Sequence, residues 1–99
     1  MSTLHVLSHS PFADTRLTSC LRLLGPNDAV LLCGDATYAL AESSIPRKAL
    51  ESRVPDLNLF VLDEDIKARS VFVPRWAKCV DYRAFVELSI QYDRVNTWL

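Results

Sequence analysis

Ninety-nine residues suit one domain, so residues 1–99 are read as a single folding unit. Hydrophobic residues make up 49% of the chain and 11 basic residues face 12 acidic ones, which excludes a disordered chain and a charge-driven nucleic-acid binder. No apolar run approaches the roughly 18 residues of a membrane span, and the opening MSTLHVLSHSPF lacks the basic start and apolar core of a secretion signal.

The first apolar run, residues 3–8, predicts a strand closed by Pro11. A helix follows, because Leu17, Cys20, Leu21 and Leu24 recur on one helical face. Asp14 is its expected N-cap and Gly25-Pro26 its stop. The unbroken run 29–33 (AVLLC) predicts a parallel strand covered on both faces. Asp35 is placed to cap a short helix through Leu40, which AESSIP interrupts. Residues 47–54 supply another helical stretch, 57–62 a third strand, and 63–70 a helix opened by three acids that suit a helix N-terminus.

The stretch 71–78 carries no clear pattern, and Pro74 argues against a central strand there. Residues 78–81 suggest a short strand. Asp81 can cap a last helix in which Phe85, Leu88 and Tyr92 share a face with Val86 and Ile90. VNTWL is left as a tail, and Trp76, Tyr92 and Trp98 have no evident place in a core. The strand–helix rhythm predicts an α/β three-layer domain, with a mainly parallel sheet of about four to five strands and helices on both faces.

With glycine only at 25 and 34, neither GxGxxG nor GxxxxGK[ST] can be written. His5 and His9 stand four apart on a strand, about 13 Å at roughly 3.3 Å per residue. That span is too long for two ligands each about 2 Å from one metal, so neither a metal nor a cofactor is expected. Asp63, Glu64 and Asp65 are consecutive and point in different directions on a helix, which suits capping better than paired acid/base chemistry.

Three cysteines without a CxxC pair suggest reduced thiols in the cytoplasm. Cys20 lies on an apolar helix face, where cysteine packs as a small hydrophobe. Cys79 falls in or just before the fourth strand. Cys33 has the best position for chemistry, at the end of a buried strand, but the neighbouring Asp35 disfavours a thiolate.

Four segments, in order, resemble the TusB/DsrH family of small sulfur-relay subunits. LHVLSHSPF is similar to its LHxLxxSPF, LLCGDATYAL to LLLxDGxYAA, VLDEDIKARSV to VLxxDLxARGL, and the closing VDYRAFVELSIQYDRVNTW to DYxxFVxLTxxxxxVxxW. The resemblance implies a DsrE-like fold and assembly with TusC- and TusD-type paralogues into a dimer of heterotrimers. That complex would pass persulfide sulfur between upstream and downstream carrier proteins toward wobble 2-thiouridine in tRNA, with no direct nucleic-acid or membrane contact by this chain. In a second branch, related complexes serve sulfur oxidation.

The family's clearest relay cysteine belongs to the TusD/DsrE-type partner, so no catalytic residue is assigned here. Cys20, in SCLRLL, resembles a helix cysteine of DsrH-type members and is the candidate if this chain carries sulfur itself; packing is the favoured reading. Cys33 stands where relatives are usually polar and is read as a strand-end residue. Ala36 and Ser70 replace family glycines, which raises a question about backbone geometry at both places. A free-standing small-molecule binding domain is the remaining alternative.

Overall fold

The computed structural model describes residues 1–98. The strands are β1 (Thr3–Leu7), β2 (Ala29–Leu32), β3 (Leu59–Leu62), β4 (Ala77–Val80) and β5 (Arg94–Trp98). The helices are α1 (Arg16–Leu23), α2 (Ile45–Glu51), α3 (Asp63–Arg69) and α4 (Tyr82–Gln91), with a 3₁₀ helix over Gly34–Leu40. The strands form one five-stranded sheet in the order β4-β3-β2-β1-β5, with every pair parallel. The chain steps outward from β1 to β4, then returns past β1 to lay down β5.

Strand burial explains the sequence pattern. β2 is central and all four of its residues are buried, so it reads as an unbroken apolar run. Its Val30 and Leu32 join Leu7, Cys20, Ala36, Leu50, Val61 and Ile66 in the larger core, between the sheet and α1, α2, α3 and the 3₁₀ helix. The opposite face presents Leu4, Val6, Ala29 and Leu31, covered by Phe85, Leu88 and Tyr92 at the α4 end of the chain.

Several local expectations are corrected. VNTWL is not a loose tail: Val95–Trp98 lie within β5, in register with Leu4–Leu7 of β1, while Leu99 lies outside the described residues. Trp76 and Trp98 pack against the larger core and Tyr92 against the smaller one. Val86 and Ile90 do not share the inward face of α4; they are 45% and 77% exposed. The N-cap of α1 is Thr15, and Asp14 instead accepts the Arg16 amide N–H at 2.9 Å and pairs with its guanidinium.

Nor does Asp35 cap its helix: the 3₁₀ helix already starts at Gly34, with Cys33 as an N-cap that makes no side-chain cap bond, and Asp35 in the first turn pairs with Arg69 instead. α2 begins inside the segment read as an interruption. Ser44 accepts the Arg47 N–H at 3.2 Å, and Pro46 occupies the first turn, where a missing N–H costs nothing. Asp81 caps α4 as expected, accepting the Ala84 N–H at 2.7 Å.

Candidate functional site

In an open parallel sheet, reactive groups collect beyond the carboxyl ends of the strands. Three elements meet there: the exit of β2, the start of α3, and the loop after β1. Cys33 leaves β2 with its N–H bonded to Leu7 O at 3.0 Å and its Sγ 3.5 Å from the same oxygen. Gly34 follows at φ +52°, donating its N–H to Asp65 at 2.7 Å. A Cβ on Gly34 would lie 3.2 Å from Ser8 O, so the turn presses directly against the β1 exit.

Arg69, at the end of α3, reaches back over this turn. Its Nε donates to Asp35 Oδ1 at 3.0 Å, and another guanidinium nitrogen stands 3.5 Å from Asp65 Oδ1. The cation is thus shared by two carboxylates. Burial and then Asp65 push the Cys33 thiol up, opposed by Arg69. Since the thiolate is the nucleophile, this arrangement holds Cys33 as a neutral thiol beside a structural ion-pair network.

Cys20 is 0% exposed between Leu17 and Leu21 on α1. Burial, followed by the charge of Asp28, pushes its thiol up to about 12. Cys79 lies on the edge strand β4 and is exposed. Desolvation and then Asp63 raise its thiol as well, opposed by Lys67, which is itself paired with Asp63 at 2.9 Å. The acidic run therefore divides its work: Asp63 holds Lys67, and Asp65 holds Gly34 and Arg69.

The two histidines separate as the strand spacing requires. His9 is exposed beyond β1, whereas His5 is buried inside it at 5% exposure. His5 Nδ1 accepts the Trp98 indole N–H at 3.2 Å, so the ring proton sits on Nε2, which faces Asp28 Oδ2 from 3.5 Å. Asp28 also accepts the Thr3 and Gly25 N–H groups at 2.9 and 2.8 Å. Its burial raises the carboxyl pKa, but the Gly25, Thr3 and His5 contacts outweigh that and hold it below the usual value. Sequence reading missed this network. Its one local sign was a histidine standing between Leu4 and Val6 in a buried strand.

Among the described residues no group of three or more potential metal-ligating side chains comes together. No described helix is long and apolar enough to cross a membrane. A cleft of about 550 Å³ between the starts of α1 and α2 is lined by Phe12, Leu17, Ile45, Pro46 and neighbours, with no cysteine or histidine.

This frame agrees with known proteins along nearly its whole length. The family model described as DsrH like protein matches residues 9–95. The chain belongs to the DsrH-like family. Protein TusB of Erwinia tasmaniensis is 39% identical over 98 residues, covering 96% of this chain and 99% of that protein. Protein TusB of Pectobacterium carotovorum is 35% identical over 99 residues, with the same coverage. The crystal structure of the ychN protein from E. coli superposes with a TM-score of 0.81 over 99% of this chain and 100% of that one, at 15% identity. This last likeness establishes that the DsrH-like chain shares a fold with ychN.

Proposed function

We propose that this DsrH-like chain is a non-catalytic subunit of a cytoplasmic persulfide relay that joins TusC- and TusD-type paralogues and serves wobble 2-thiouridine formation in tRNA. The observation that carries the reading is the near full-length similarity to proteins named TusB. The thiol environments support the accessory role. Cys20 is sealed in the core, Cys33 is half-buried with Asp65 adding to the rise of its thiol, and none of the three thiols has its pKa lowered. In this reading Cys20 packs α1 against the sheet, and the transferring cysteine belongs to the TusD-type partner.

The outer face of α4 is the proposed docking surface for a paralogue. Tyr82, Val86 and Ile90 are 64%, 45% and 77% exposed there, and apolar and aromatic side chains are what the buried centre of an interface takes. The test is purification of the tagged native subunit, identification of what accompanies it, and measurement of tRNA 2-thiouridine after its deletion. TusC- and TusD-type companions with loss of 2-thiouridine are expected. Normal 2-thiouridine with impaired sulfur oxidation would move the chain to the oxidation branch, and a monomer without companions would overturn the relay reading.

A further inference from the structure

The two edges of the sheet are built differently. β4 is four residues long and carries Lys78 in its middle, a charge of the kind that discourages pairing at an open edge. β5 is five residues long, and its run Val95–Trp98 holds no charge and no proline. No described strand lies beyond it.

The parallel ladder fixes which β5 groups are free. The Arg94 N–H donates to Ser2 O at 3.1 Å, so Arg94, Asn96 and Trp98 turn their backbone groups toward β1. Val95 and Thr97 therefore turn their N–H and C=O groups outward. An antiparallel partner strand satisfies these groups when it meets them as hydrogen-bonded pairs.

We propose that β5 pairs antiparallel with β5 of a second copy of this chain, about a two-fold axis through Asn96. In that register Val95 of each copy stands opposite Thr97 of the other. All four outward N–H groups then find carbonyl acceptors. Shifting the register by two residues in either direction leaves only one outward pair, Val95 with Val95 or Thr97 with Thr97.

The side chains agree with the same register. Val95 and Thr97 make two β-branched cross-strand pairs on the α4 side of the sheet. On the other side Arg94 faces Trp98, a cation opposite an aromatic ring. Such a contact is isologous, as a two-fold requires. It adds a surface separate from the outer face of α4 and stands on strand geometry alone, so its failure would leave the relay reading intact.

The test uses the full chain with Cys33 and Cys79 changed to serine. Asn96 faces its own copy at a non-hydrogen-bonded position, where Cα atoms are about 4.5 Å apart and within disulfide reach. Asn96→Cys is expected to give a 96–96 inter-chain disulfide on mild oxidation, read by mass spectrometry. Thr97→Pro removes an outward N–H that the β1 ladder does not use, at an edge position where proline is tolerated, and should abolish the dimer in sedimentation while the circular dichroism melt still shows a cooperatively folded chain. Failure of the 96–96 link, a dimer that survives Thr97→Pro, or a disulfide from the Asn96→Cys thiol to a different protein in the native assembly would each overturn the proposal.

Discussion

The indole N–H of Trp98 donates to Nδ1 of His5 at 3.2 Å, joining residues 93 apart in sequence. This bond ties the edge strand β5 to the buried side of β1, and Trp98 also packs against the larger core. Trp98→Phe keeps a ring but loses the donor, leaving a buried acceptor unmatched. The expected loss is about 1–3 kcal/mol, read as a lower urea midpoint with an unchanged slope. An equal midpoint would mean that the bond contributes nothing to holding β5.

Asp28 supports the same network from below and makes stability depend on acid. Its carboxyl titrates below its ordinary value in the folded chain because Gly25, Thr3 and His5 outweigh the effect of burial. A group whose pKa is lowered by folding stabilises above its unfolded pKa, and that contribution fades as pH falls through the folded one. Asp28→Asn should therefore be less stable than the parent at pH 7, with the gap closing below about pH 4. Denaturant unfolding at several pH values checks this, and a gap constant with pH would exclude the charge as its source.

The thiols should react in order of exposure. Iodoacetamide is expected to label Cys79 first, Cys33 slowly, and Cys20 only on unfolding, since burial pushes the Cys20 thiol up to about 12. Cys20→Ala should cost about 1–3 kcal/mol as a core truncation and leave 2-thiouridine levels normal in cells that retain the protein. Loss of 2-thiouridine without loss of stability would make Cys20 a working thiol.

How much of this was legible depended on where each residue sits. β2 and β3 announced themselves because burial on both faces demands continuous apolar runs. α4 announced its start because Asp81 caps through its own side chain. β5 did not, because an edge strand has little to bury: Arg94 to Thr97 are all exposed, and only its pairing with β1 makes it a strand. Asp35 was misread for a related reason. Its local position offers a cap, but Arg69, 34 residues on, offers a charged partner that no local pattern reveals. The positions of Cys20 and Cys33 were readable, whereas the carboxylates around them were brought there by the fold.

Gly34 and Ser70 share one backbone angle, φ +52°, and predict opposite responses to substitution. Gly34 sits in the turn after Cys33, and any side chain there meets both the left-handed backbone and Ser8 O at 3.2 Å. Gly34→Ala should cost more than the roughly 1 kcal/mol of a strain-free glycine change. Ser70 ends α3 in the left-handed cap position, its N–H reaching back to Lys67 O at 3.3 Å, where glycine carries no Cβ penalty. That resolves the geometric question raised by the serine: the turn is made, and the residue bears the strain. The other missing family glycine raises no such conflict, because Ala36 lies buried in the 3₁₀ helix outside the positive-φ region. Ser70→Gly should therefore raise stability by up to about 1 kcal/mol. Thermal melts of both variants decide the matter, and a Ser70→Gly protein that melts lower than its parent would show that the serine side chain contributes more than its backbone costs.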